Sequence, residues 1–172
     1  MQIFFLLAFL LEPMTFHGRG GQTPLYQAIV PSDWEKISPA KDLSNTMLPI
    51  YSFKIGEILL TIHNFPSPRI PPKAQVQRWI KQFRPSQQEI SQVAHGGFGG
   101  LRIEASNLEG KAMVGYAMQL SDFLCKQVSE SEITSDYTIK AVGPLEDIEA
   151  HREEIDAFAD SFELVDPLPC PL

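Results

Sequence analysis

Tyr51-Ser-Phe-Lys-Ile-Gly-Glu-Ile-Leu-Leu-Thr-Ile-His-Asn-Phe65, followed after a proline-rich bridge by Ala74-Gln-Val-Gln-Arg-Trp-Ile-Lys-Gln-Phe83, decides the fold. Alternation over the first part gives two strands, Met47–Phe53 and Ile58–Phe65, joined by a turn at Lys54-Ile-Gly56-Glu57. In the second strand Ile58, Leu60 and Ile62 share one face, and Leu59, Thr61 and His63 share the other. The first face belongs in a core. Beyond the bridge, Val76, Trp79, Ile80 and Phe83 recur at the spacing of one helical stripe. Lys73, Gln77, Arg78, Lys81 and Gln82 are left for water. The stripe is expected to press on Ile58, Leu60 and Ile62 or their face-mates. The bridge, Pro66–Pro72, holds four prolines in seven residues, which makes it stiff and extended. Arg84-Pro85 ends the helix, because the residue before a proline is pushed out of the α region.

Upstream, Leu25–Val30 alternates as a strand and Pro31-Ser-Asp-Trp34 turns the chain. Ser32 or Asp33 supplies the side-chain oxygen such turns favour. Trp34 is expected to cover one edge of the core. Glu35–Thr46 is polar and reads as a loop. Pro49 has no N–H for a ladder, so the strand containing it starts late or lies at an edge.

Downstream, Gln88–Ala94 and Leu101–Ala105 read as strands around His95-Gly-Gly-Phe-Gly-Gly100. A phosphate cradle would open a helix and end in Lys and Ser or Thr, so this glycine run is a hairpin loop. Asn107–Gly110 is a turn and Ala112–Leu120 the longest later strand. In Ser121–Asp136, Phe123, Leu124 and Val128 suggest one helical turn before a polar loop at Ser129–Glu132. Tyr137–Val142 is the last good strand, broken by Gly143-Pro144. Leu145–Phe162 follows as a second helix, with proline at its first position and acids in its first turn. Its stripe is Ile148, Ile155, Phe158, Ala159 and Phe162. A strand meander interrupted by two main amphipathic helices is an α+β domain, an antiparallel sheet with helices packed on it.

The chain has 172 residues, enough for one domain, placed at 21–166 with a proline-rich tail at 167–172. Its 44% hydrophobic and 20% charged residues are those of a folded protein. Fourteen basic against 21 acidic residues give a net charge of −7, which argues against nucleic-acid binding. Residues 1–20 form an apolar segment and hinge. Ile3–Leu11 is nine apolar residues, too few for a bilayer span of about 20 but within the roughly 7–15 of a secretion signal. No Lys or Arg precedes the run and no small-x-small site follows it, so a first strand or helix packed on the domain is the competing reading. Gly18-Arg-Gly-Gly21 reads as the hinge. Cys125 and Cys170 fit two free thiols better than a bridge, and neither sits in a zinc or Cys-x-x-Cys spacing.

Three stretches in this order, Pro31-Ser-Asp-Trp34, Arg78-Trp79, and Ala141-Val-Gly-Pro144 through Ser161-Phe162, are similar to the PsbP-like family. That family includes the extrinsic PsbP subunit of photosystem II, Mog proteins and envelope proteins of DcrB type. The resemblance spans about 25–165 and rests on the order of elements more than on identity. It implies a three-layer α/β/α sandwich and no shared active site, since members act mainly as binding or assembly modules. Binding of a small GTPase, as by Mog proteins, is implied by that analogy alone.

No catalytic, cofactor or metal site emerges from the residues. His17, His63, His95 and His151 stand at no metal-ligand spacing from one another or from a cysteine. His151 and Asp147 are placed to pair along the second helix. No Gly-x-Ser-x-Gly elbow is present. The favoured expectation is a non-catalytic accessory protein with a protein partner, at the cell envelope and attached or exported through Met1–Leu11. Cytoplasmic residence is the alternative. The competing function is a small hydrolase or ligand-binding enzyme assembled in space from His63, His95, Cys125 and nearby acids.

Overall fold

In the computed structural model the apolar faces close into two cores, one on each side of a single sheet. The structure describes residues 11–17, 24–37, 49–65, 69–121 and 136–165. Strands β3 (Glu35–Ile37), β4 (Tyr51–Ile55), β5 (Ile58–Asn64), β6 (Gln87–His95), β7 (Phe98–Ser106), β8 (Lys111–Leu120) and β9 (Tyr137–Pro144) form one seven-stranded sheet. Its order is β3-β4-β5-β9-β8-β7-β6, antiparallel throughout. Strands β1 (Leu11–His17), β2 (Pro24–Pro31) and β10 (Glu163–Leu164) form a small sheet with β2 in the middle. Helix α1 is Pro72–Phe83 and helix α2 is Leu145–Ser161. The architecture is the expected α+β sandwich.

Strand β8 explains the layering. Ala112, Val114, Tyr116, Met118 and Leu120 enter the larger core, while Met113 and Ala117 enter the smaller one. An apolar run without alternation is what a strand covered on both faces requires. The larger core fills the space between the sheet, α2 and the small sheet. It is rich in aromatic rings set edge-on or tilted, as ring quadrupoles prefer. Phe162 lies 4.5 Å from Tyr137 and 4.8 Å from Tyr26, and Trp34 lies 5.0 Å from Phe158, centroid to centroid. Asn64 Nδ2 donates to the Tyr26 hydroxyl at 2.9 Å within it.

Helix α1 covers the opposite face, a correction to the sequence reading. Val76 and Trp79 are buried against Ile103, Ala105, Met113 and Ala117, with Ile80 and Phe83 partly buried beside them. Ile58, Leu60 and Ile62 lie in the other core. A stripe pattern shows that a helix packs on a sheet but not on which face, and β7 and β8 present a second apolar face that β5 lacks. On β5 that outer face carries Leu59, 46% exposed.

Other boundaries moved for local reasons. Glu35–Ile37, expected within a loop, is strand β3, added to the edge of β4 with Glu35 opposite Lys54. Strand β4 starts at Tyr51, beyond Pro49. Strand β9 runs through Gly143 and Pro144, and Pro144 caps α2 rather than opening it. Phe16 of β1 is buried among the rings of Tyr51 and Phe162, so part of the 1–20 segment belongs to the domain. Residues 1–10, Gly18–Gly21, Cys125 and Cys170 lie outside the described residues, as do Phe123, Leu124 and Val128.

The glycine loop is a two-residue hairpin. Gly96 and Gly97 have φ of 55° and 83°, the twin positive angles of a type I′ turn, with His95 paired to Phe98. Gly100 answers a different need. A Cβ there would lie 1.9 Å from the carbonyl oxygen of Ala117 on the neighbouring strand. Gly99 has nothing within 4 Å of such an atom.

Two consequences are measurable by urea unfolding. Gly100→Ala is expected to lower stability by ~1–3 kcal/mol or more through overpacking against backbone, while Gly99→Ala stays within ~0.5 kcal/mol of wild type. Trp79→Ala is expected to cost about 3–5 kcal/mol, as removal of a buried indole does. A near-neutral Trp79→Ala would mean that α1 does not seal the second core.

Candidate functional site

The register of β5 against β9 sets Thr61 opposite Lys140 and His63 opposite Thr138. These are the positions whose strand neighbours fill the larger core, so their side chains belong to the α1 face. Gln75, Arg78, Trp79 and Gln82 of α1 come down over His63, Thr138 and Lys140. Phe65 closes one end, and its ring stacks 6.4 Å from that of His63. The result is a partly enclosed cavity of about 130 Å³.

Its chemistry is one-sided. Lys140 is half-buried, and burial, aided by the charge of Arg78, pulls its pKa below the usual lysine value. Its Nζ sits 6.0 Å from the Trp79 ring centroid, at the outer limit of a cation–π contact. Gln75, Gln82 and Thr138 add neutral donors. Among the described residues no carboxylate lines the cavity, and neither Lys140 nor Arg78 forms an ion pair.

A second polar cluster lies on the opposite face and has a structural purpose. Arg102 of β7 donates to Asp156 of α2 through Nε at 3.0 Å and Nη2 at 2.9 Å. The Tyr116 hydroxyl of β8 donates to the same carboxylate. Arg102 Nη2 also reaches Glu104, and Arg152 Nε lies 2.9 Å from Glu104 without the alignment of a hydrogen bond. Burial opposes the Arg102 charge, but Asp156 outweighs it and holds the guanidinium pKa above its ordinary value. Burial first, then Asp156, pushes the Tyr116 hydroxyl up. Neither group changes charge near neutral pH, so the cluster fastens α2 to the sheet and has no acid–base work to do.

The residues singled out from sequence are dispersed. His63 lines the cavity beneath α1. His95 sits at the β6–β7 hairpin with Nε2 2.9 Å from the Tyr137 hydroxyl, in contact with the other core. Cys125 lies outside the described residues. His63 and His95 therefore share no cavity. His151 meets Glu154 at 3.6 Å rather than the expected Asp147. Glu154 also accepts the indole N–H of Trp34. Among the described residues no group of three or more His, Cys, Asp or Glu is placed to hold a metal. Sequence reasoning passed over Lys140 and gave Arg78 no site role, reading it as a wet helix position and as part of the Arg78-Trp79 stretch of the resemblance. The available signal was a lysine at an interior position of the apolar strand Tyr137-Thr-Ile-Lys-Ala-Val142.

The Lys140 environment has a pH signature. A base whose pKa falls on folding binds fewer protons folded than unfolded between its lowered value and 10.5, so stability rises with pH across that window. Lys140→Met removes the dependence. Its melting temperature is expected to exceed that of wild type at pH 7, with the gap narrowing towards pH 10, in thermal unfolding at fixed ionic strength. A gap that stays constant with pH would show that Lys140 is as well solvated folded as unfolded.

No family model matches the sequence, and no curated protein matches it. Structure comparison finds similarity to cyanobacterial PsbP (CyanoP) from Synechocystis sp. PCC 6803, a solution structure. The TM-score is 0.57 at 11% sequence identity, over 96% of this chain and 98% of that one. At such identity the likeness is one of backbone, and site residues do not carry over. The order of strands and helices, the two-sided sheet and this similarity agree that the chain has a PsbP-like α/β/α sandwich fold.

Proposed function

We propose that the protein is a non-catalytic accessory or assembly module that docks a partner protein along strand β6. One observation carries this reading: β6 is a long, exposed edge. It ends the large sheet, and among the described residues β7 is its one strand partner. Seven of its nine residues are exposed, with Ile90 at 43%. Half the backbone donors and acceptors of an edge strand point away from its neighbour and can pair with an incoming strand. Natural edges are blunted by lysine, proline, bulges or shortness. Gln87-Gln-Glu-Ile-Ser-Gln-Val-Ala-His95 has neither lysine nor proline, carries a single acidic side chain in Glu89, and keeps an unbroken register with β7.

The partner's strand would gain main-chain hydrogen bonds from β6 and apolar contact from Ile90. The dispersal of His63 and His95 weighs against the hydrolase reading. Envelope attachment through Met1–Leu11 belongs to the same proposal and is supported by the apolar run in the sequence. Among the described residues no helix is long and apolar enough to cross a membrane.

A photo-crosslinking residue placed at Ser91 is expected to give discrete adducts in cells, and the same residue at Glu109 in a distant turn to give none. Gln92→Pro, which removes a backbone donor and disturbs the edge, is expected to abolish the Ser91 adducts while the melting temperature shifts by only a few degrees. Equal labelling at the two positions would remove β6 as a docking edge.

A further inference from the structure

We propose that the cavity between α1 and strands β5 and β9 binds a small multivalent oxyanion of the phosphate class, held between Lys140 and Arg78. The site is independent of β6 and lies on the face covered by α1.

The first argument is charge. The protein carries 21 acidic residues and a net charge of −7, so carboxylates are plentiful. Three described arginines use them: Arg69 reaches Asp136, Arg102 reaches Asp156 and Glu104, and Arg152 reaches Glu104. The described lysines other than Lys140, and Arg84, have no ion pair among the described residues but are exposed to water, whereas Lys140 is half-buried. Lys140 and Arg78 have none among the described residues and are instead set close enough to repel each other. Removing an ammonium from water beside a guanidinium is unfavourable unless something negative joins them. The Trp79 ring at 6.0 Å is too remote to supply that compensation alone.

The second argument is the lining. Elsewhere the α1 interface is apolar, formed by Val76, Ile103, Ala105 and Met113. At this end it becomes a recess whose polar groups are all able to donate, unlike the recess at the far end of α1, which includes Glu109. Gln75 is buried, and with Gln82 and Thr138 it can complete the coordination of an anion whose charge the two cations meet. Trp79 and Phe65 form a water-excluding wall, which strengthens each of these contacts.

The third argument is size. About 130 Å³ accommodates one tetrahedral oxyanion. It is well below the ~300–1,000 Å³ of sites for drug-sized ligands, so the cavity encloses the oxyanion itself and no larger body attached to it.

The test is a titration of the full chain with inorganic phosphate at constant ionic strength, following the two indole N–H resonances by nitrogen–proton NMR. Saturable movement of the Trp79 signal is expected, with Trp34 in the other core unmoved. Arg78→Gln, on the exposed side of α1, and Lys140→Met are each expected to weaken binding at least tenfold. Lys81→Gln, on the same helix but outside the cavity, should match wild type. Should Lys140→Met fail to fold, Arg78→Gln alone decides the matter. Linear, non-saturating shifts, or equal affinity in all four proteins, would overturn the proposal. Malonate binding as tightly as phosphate would reassign the site to dicarboxylates and overturn the phosphate class.

Discussion

Strand β8 cannot face water on either side, and the architecture follows from that constraint. A strand with Val114 and Tyr116 on one face and Met113 and Ala117 on the other needs two covers. Helix α2 and the small sheet supply one, and α1 supplies the other. Close approach matters as much as oiliness. At Gly115 a Cβ would meet the Trp79 ring at 2.7 Å, so glycine lets the indole settle directly on the sheet. The Arg102–Asp156 pair then holds α2 in register over β7 and β8. Polar side chains near the layers are tolerated where they find partners, and Lys140 is conspicuous because it is half-buried with no carboxylate partner among the described residues.

Much of this was legible in the chain. Trp79 and Val76 announce one helix face, and Ile148, Ile155 and Phe158 another, because a helix repeats its neighbours every three to four residues. Ile58, Leu60 and Ile62 announce a buried strand face by alternation. What the pattern could not carry was which face of the sheet each helix covers. Periodicity is a property of one element, and layering is a property of pairs. Strands of two or three residues, such as β10 and β3, are equally invisible, since their existence depends on an edge made elsewhere in the sequence.

The polar cavity was harder still. Its members come from β5, α1 and β9, separated by up to about eighty positions, and nothing local links them. Lys140 alone left a trace, as a charge inside an apolar strand. The histidines attracted notice by residue type, yet His95 and His151 settled into ordinary contacts with Tyr137 and Glu154. A PsbP-like backbone at 11% identity fixes where the layers lie and says nothing of what a given surface recognises.

The placement of the two tryptophans gives the protein a built-in pair of optical reporters. Trp34 belongs to the larger core, tilted against Phe158 and tied to Glu154, and Trp79 belongs to the smaller one. Each indole emission therefore senses the polarity of a different interlayer space. With either one replaced by phenylalanine, the remaining signal would show whether the two halves of the sandwich come apart as a single cooperative unit or separately, with the central sheet as the boundary between them.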